Sequence, residues 1–231
     1  MYFPGGGSRR WQLPYRGSIR NYIEGTGAEL WIPLYPLLPD YDLMDETEFT
    51  IRLHEKMLKR FPAENIVWLG ISGGADVLMQ AGRHMVKKYP ELPMPGLMLP
   101  VSVSGLLMSE DAKTRMRGID SRNPILHWDM FETMVKYYNP NGDLPQYILG
   151  KADEDDYTGF PKIIMYFGGD EVFAGIAPDY EKSFIRCGVK DYEIKIKEGM
   201  PHAYPMFTFL KEGREGEREI IADINRYFES C

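Results

Sequence analysis

The run Ile66-Val67-Trp68-Leu69-Gly70-Ile71-Ser72-Gly73-Gly74 constrains this chain more than any other stretch. A short apolar segment of strand-forming residues passes directly into Gly-x-Ser-x-Gly, and residues 74–89 then carry a helical pattern. That block fits a sharp strand-to-helix turn, which lifts a serine hydroxyl clear of the C-terminal end of a sheet. The turn strains the serine backbone and brings strand and helix so close that small residues are needed on either side. An apolar strand followed at once by a helix is half of a βαβ unit, which argues for a parallel sheet covered on both faces.

The rest of the chain keeps that rhythm. Residues 28–35, 96–104 and 162–168 read as near-continuous apolar strands like 65–72. Residues 192–197 alternate Tyr-Glu-Ile-Lys-Ile-Lys, which suits a strand nearer the edge with one wetter face. Helical spacing predicts helices over 42–61, 74–89, 178–187 (stopped by Gly188) and 217–228, the last with Ile220, Ile221, Ile224 and Phe228 on one face. The expected fold class is α/β, a three-layer α/β/α sandwich with a mainly parallel sheet. The 231 residues suffice for one domain over 1–231, able to bury roughly 70–75% of its unfolded surface.

Residues 106–157 break the pattern. They are rich in Met, Asp, Asn, Pro and aromatic residues and too long for a simple crossover, so they read as a helical lid inserted over the site. Trp128 and Phe131 within it are candidates for the wall of a substrate pocket. There is no internal repeat.

Several function classes fall away. A net charge of −7 offers no footprint for nucleic acid or an anionic membrane surface. No apolar run approaches the ~18 residues of a membrane span. Two cysteines, Cys187 and Cys231, are too few and too scattered for a disulfide framework or a zinc site, so no metal is expected. Met1-Tyr2-Phe3 reads as the end of a strand, without the charged and apolar regions of a signal peptide, which makes a cytoplasmic location the expectation.

A nucleophilic serine needs a base. Of four histidines, His202 lies in Glu-Gly-Met-Pro-His-Ala-Tyr, a loop after the last predicted strand, where an imidazole can reach over the sheet. His54 and His84 sit inside helical patterns as fillers, and His127 lies in the lid. A carboxylate must orient the imidazole. Asp170 follows Ile163-Ile164-Met165-Tyr166-Phe167-Gly168-Gly169, at the end of a strand where sites of α/β proteins collect; its neighbour Glu171 is the main rival. Backbone amides in Pro4-Gly5-Gly6-Gly7, with that of Gly73, could receive a developing oxyanion. No Gly-Lys-Ser/Thr follows that loop, which argues against a phosphate loop.

These blocks, in order along the whole chain, resemble the hormone-sensitive-lipase-like esterases and lipases among the α/β-hydrolases. Tyr2-Phe3-Pro4-Gly5-Gly6-Gly7 is similar to that family's His-Gly-Gly-Gly loop. Tyr35-Pro36-Leu37-Leu38-Pro39-Asp40-Tyr41 resembles its Tyr-x-Leu-x-Pro-Glu stretch. Gly70–Gly74 corresponds to the elbow, Asp170-Glu171-Val172 to the acid segment and Gly199-Met200-Pro201-His202 to the histidine loop. The resemblance implies hydrolysis of short or medium acyl esters through an acyl-enzyme, with Ser72 attacking, His202 shuttling the proton and Asp170 holding His202. It implies oxyanion donors at Gly6, Gly7 and Gly73, a small-molecule ester as the partner, and no metal or organic cofactor. Three departures stand out: Pro4 replaces the loop histidine, Ile71 and Gly73 replace the usual Asp and Ala of the elbow, and the substantial segment that precedes the glycine loop in the family does not precede it here. That last feature leads to the expectation of an N-terminally shortened fold, with one sheet edge exposed and available for homo-oligomer formation. Two alternatives remain: an amide or arylformamide hydrolase of the same fold, and a catalytically silent hydrolase fold that binds a ligand.

Overall fold

The computed structural model describes residues 1–230 of the chain, so Cys231 lies outside the described residues. Five parallel strands form one sheet in the order β1 (Tyr2–Phe3), β2 (Val67–Ile71), β3 (Leu97–Val101), β4 (Lys162–Gly168) and β5 (Tyr192–Lys197). Spatial order follows chain order, and each crossover carries helix: α1 (Arg16–Thr26) and α2 (Leu43–Leu58) between β1 and β2, α3 (Gly73–Lys88) between β2 and β3, and α7 (Ala177–Cys187) between β4 and β5. Three further helices, α4 (Glu110–Asp120), α5 (Met130–Tyr138) and α6 (Gln146–Leu149), lie between β3 and β4, and α8 (Lys211–Glu229) closes the fold.

Alternation along the strands sorts side chains to two cores, one on each face of the sheet. Trp68, Met98, Ile163 and Met165 pack on one face with residues of α2, α3 and α7. Leu69, Leu99, Ile164 and Tyr166 pack on the other with Tyr22 of α1 and Ile220 and Ile224 of α8. The result is the three-layer arrangement expected from the apolar strand runs. β5, expected nearer the edge, is an edge strand, and its residues are half-buried or exposed.

Two expectations need correction. Residues 28–35 form no strand: they meet β1 through a hydrogen bond from the Tyr2 amide to the Trp31 carbonyl at 2.8 Å and through the packing of the Phe3 ring on Tyr35. Pro33 interrupts that segment and Pro36 follows it directly, and proline has no amide hydrogen to give a ladder. Helix α1 was not anticipated; Gly17 and Gly25 within it weaken the pattern, and it is held by Tyr22 in the core and by the Asn21 amide donating to Glu217 at 2.6 Å. The segment between β3 and β4 packs its α5 and α6 residues Tyr138, Ile148 and Leu149 against Leu38 and Leu43, forming a smaller cluster above the end of the sheet.

Candidate active site

Ser72 stands between the last residue of β2 and the first of α3, with φ 53° and ψ −125°. A non-glycine residue held there costs on the order of 1–3 kcal/mol, and the surroundings impose it. The Ser72 amide is tied to the Val101 carbonyl of β3 at 2.8 Å. A Cβ on Gly74 would stand 2.3 Å from the Phe3 carbonyl oxygen of β1, and one on Gly70 would stand 2.5 Å from the Gly74 carbonyl oxygen. Glycine at both positions is what lets α3 start directly against the sheet and fix the direction of the Ser72 hydroxyl.

His202 arrives from the loop after β5. Its Nε2 lies 2.8 Å from Ser72 Oγ and its Nδ1 2.6 Å from Glu171 Oε2. An ionised carboxylate only accepts, so Nδ1–H donates to Glu171 and Nε2 is left to accept from the serine hydroxyl. His202 is 7% exposed, and the Phe173 ring meets its imidazole edge-on with centroids 5.0 Å apart.

Asp170, expected to hold His202, does not reach it. Its side chain turns outward and pairs with Arg122 at 3.2 Å, while the fully buried Glu171 turns inward. The reason lies in the turn. A Cβ on Gly168 would stand 2.2 Å from the Met200 carbonyl oxygen, so the histidine loop crosses directly over the end of β4. The Asp170 amide donates to that same carbonyl at 3.0 Å. The next residue then faces the sheet, and the longer glutamate side chain spans the gap. Glu171 Oε1 accepts from the Gly168 amide and from the Ser102 hydroxyl, each at 2.7 Å.

Ser102 joins two parts of the site. Beyond its bond to Glu171, its Oγ accepts from the Ala203 amide at 2.8 Å, so one buried hydroxyl ties the carboxylate to the histidine loop. Ser102 and Ala203 also have positive φ, 54° and 55°. Among the described residues, the non-glycine residues with positive φ are Ser8, Ser72, Ser102 and Ala203. All four belong to the glycine loop, the elbow or the loops that hold the histidine and the acid; backbone strain in this chain is concentrated at the site. No sequence signal marks Ser102, since serine at a strand end is ordinary and its partners lie 69 and 101 residues away.

The glycine loop lies against the elbow. A Cβ on Gly73 would stand 2.7 Å from the Gly7 amide nitrogen, and Gly6, Gly7 and Gly73 border the cavity into which Ser72 opens. With φ of 122° and 61°, Gly6 and Gly7 occupy backbone conformations that L side chains rarely adopt. The loop is pinned around Pro4 rather than by it. The Tyr35 hydroxyl donates to the Pro4 carbonyl at 2.7 Å, the Tyr138 hydroxyl to the Gly7 carbonyl at 2.5 Å, and the Ser8 hydroxyl to Glu46 at 2.9 Å. Glu46 is fully buried and burial holds its carboxyl well above the usual range.

The cavity has a volume of about 810 Å³. One wall is apolar and comes largely from the 106–157 segment, including Leu126, Met130, Phe131 and Met134. Trp128, expected beside Phe131, does not line it. The Arg117 guanidinium sits over its ring 4.6 Å from the centroid, and its amide donates to Asp120 at 2.7 Å, so it joins the start of α5 to α4. The remaining histidines lie elsewhere. His54 is buried with Nε2 2.8 Å from the Pro93 carbonyl, His84 contacts Glu48 at 3.0 Å, and His127 is exposed beside Asp120.

A serine, an imidazole and a carboxylate in sequence, beside backbone amides and a cavity with one apolar wall, form a constellation that suits nucleophilic acyl transfer. Residues 2–206 match the family described as alpha/beta hydrolase fold, and the chain belongs to it. The same fold is found in solved structures. The chain is similar to EstE5 soaked with ethyl alcohol (TM-score 0.85, 18% identity, 99% of this chain and 76% of that one). It is similar to an esterase/lipase from an uncultured bacterium (0.81, 18% identity, 99% and 76%) and to a hormone-sensitive lipase from a metagenome library (0.83, 21% identity, 98% and 77%). At such identities the likeness is one of fold, and it is the fold that the five sequence blocks resemble. Comparison with curated proteins gave no match. Among the described residues, no helix is long and apolar enough to cross a membrane.

Proposed function

We propose that this chain is a serine carboxylesterase acting on short to medium acyl esters through an acyl-enzyme. The observation that carries the reading is the relay Ser72–His202–Glu171, with contacts of 2.8 and 2.6 Å. Ser72 Oγ attacks the ester carbonyl carbon while its proton passes to His202 Nε2. The oxyanion is met by the amides of Gly6, Gly7 and Gly73. Collapse of the tetrahedral intermediate expels the alcohol, which takes the proton from His202. Water then attacks the acyl-enzyme with His202 as base, and the acid leaves with Ser72 restored. Glu171 keeps the imidazole in the tautomer that accepts from serine and stabilises the imidazolium that forms. The role assigned to Asp170 from sequence passes to Glu171 on geometric grounds. The 106–157 segment serves as the lid, and Phe131 contributes to the acyl or alcohol wall.

The test is hydrolysis of p-nitrophenyl acetate and butyrate by the wild type and Ser72→Ala, with formanilide and simple amides alongside. Ester turnover that falls by about 10⁶ in the variant is expected. Full activity in Ser72→Ala removes the serine from the chemistry, and turnover confined to formanilide and amides replaces the ester reading with the amide one.

A further inference from the structure

The wall that runs inward from Ser72 is built by α3 itself. Asp76, Gln80 and Arg83 follow Ser72 at helical spacing and line the same cavity, since residues three and four apart share a helix face. Two of the three have partners within the protein. Asp76 accepts from the Ser104 and Gly105 amides at 2.8 and 3.0 Å and from the Ser104 hydroxyl at 2.9 Å. Arg83 donates to the Tyr147 carbonyl at 2.6 Å and pairs with the buried Asp155 at 3.3 Å.

Gln80 differs from both. It is 3% exposed, its Oε1 is enclosed without a partner, and its side chain makes no hydrogen bond to any described residue. A buried primary amide left unpaired is costly, and native interiors almost always satisfy such groups. Gln80 borders the substrate cavity, so a group entering it is the partner available to this amide.

We propose that Gln80 is a specificity-determining residue, and that the ester taken by this site carries a neutral hydrogen-bonding group, a hydroxyl or a carbonyl, toward the far end of one arm. Neutrality follows from the neighbours on this wall: Asp76 and Arg83 are already paired within the protein, and the Gln80 amide between them can donate and accept but cannot balance a charge, so an ion brought beside it would lack a counter-charge there. Length follows from the helix. Eight residues separate Ser72 from Gln80, about 12 Å along the axis at 1.5 Å per residue. That distance calls for a medium-length chain, with the apolar side chains of α5 available to cover the methylenes between its two polar ends. The inference rests on the esterase reading, whose substrate class it narrows.

The experiment compares p-nitrophenyl octanoate with its ω-hydroxy counterpart, and octyl acetate with the acetate monoester of octanediol, so that the acyl and alcohol arms are probed separately. In wild type, one of the two pairs should show kcat/KM about tenfold higher for the hydroxylated member. Gln80→Leu should abolish that preference, with Gln80→Met as a second variant should the first fold poorly. A hydroxyl preference that survives both substitutions, or alkyl members preferred in both pairs by wild type, overturns the proposal. Calorimetric binding of the same esters to Ser72→Ala, with and without Gln80→Leu, keeps the two ideas apart. Tighter binding of a hydroxylated ester that depends on Gln80 supports the subsite even if no ester is turned over, whereas equal binding of both members of each pair counts against it.

Discussion

Exchanging Glu171 for glutamine tests the site more sharply than removing the nucleophile, because it separates two adjacent acids that sequence could not rank. The Glu171 carboxylate receives three donors: His202 Nδ1–H at 2.6 Å on Oε2, and the Ser102 hydroxyl and Gly168 amide at 2.7 Å on Oε1. Glutamine has one oxygen, so it has two poor choices. With its oxygen toward Ser102 and Gly168, its NH₂ faces Nδ1, the imidazole takes the opposite tautomer, and a proton on Nε2 faces the serine. With its oxygen toward His202, its NH₂ meets the Gly168 amide, donor against donor. In relays of this kind the wrong tautomer lowers kcat by about 10⁴, equivalent to roughly 5 kcal/mol in the barrier. Asp170→Asn removes a partly exposed pair with Arg122, an interaction worth about 0–1 kcal/mol to stability and remote from the imidazole. The assay is kcat for p-nitrophenyl butyrate, with circular dichroism to show that both variants fold. Glu171→Gln should lose three to four orders of magnitude, while Asp170→Asn stays within about twofold of wild type. The opposite ranking refutes the relay.

Two further outcomes follow from packing and burial. Gly74→Ala places a methyl 2.3 Å from the Phe3 carbonyl oxygen and should cost about 1–3 kcal/mol in chemical denaturation; Gly118→Ala, in α4 with nothing within 4 Å of its Cβ, should instead stabilise by about 0.5–1 kcal/mol. If the two substitutions shift stability alike, close approach is not what requires Gly74. Burial raises the Glu46 carboxyl well above its ordinary value, so its contribution to stability is present at low pH and is lost as pH rises through the folded-state value. Glu46→Gln should therefore melt higher than wild type at alkaline pH, with the gap narrowing as pH falls toward about 4.3, the unfolded glutamate value; a gap that does not change with pH would contradict this.

Much of the fold was legible in the order of residues. Strand β2 and helix α3 were visible because an apolar run, a glycine-flanked serine and a helical period are each local and adjoin one another. Strands β4 and β5 coincide with their predicted ranges for the same reason, as continuous burial and one-sided burial leave different local patterns. The 28–35 segment misled because apolar composition resembles a strand while Pro33 within it and Pro36 just beyond it deny the ladder donors. Trp128 and Phe131 looked equivalent, three residues apart in an aromatic stretch, yet one contacts Arg117 and the other borders the cavity. The direction a side chain takes at the start of a short helix is settled by neighbours elsewhere in the fold.

Sequence alone therefore determined the class of fold, the serine and histidine brought together and the glycine loop beside them, because each of these is written in small residues at short spacing or in a period of two or 3.6. Tertiary structure decided which acid meets the histidine. Asp170 and Glu171 occupy the same sequence context, and only the crossing of the 199–202 loop over Gly168, with the Ser102 hydroxyl waiting beneath, turns one carboxylate outward and the other in. It also decided that Gln80 would stand buried and unpaired in the cavity wall, since whether a polar side chain finds a partner depends on distances that no local pattern records.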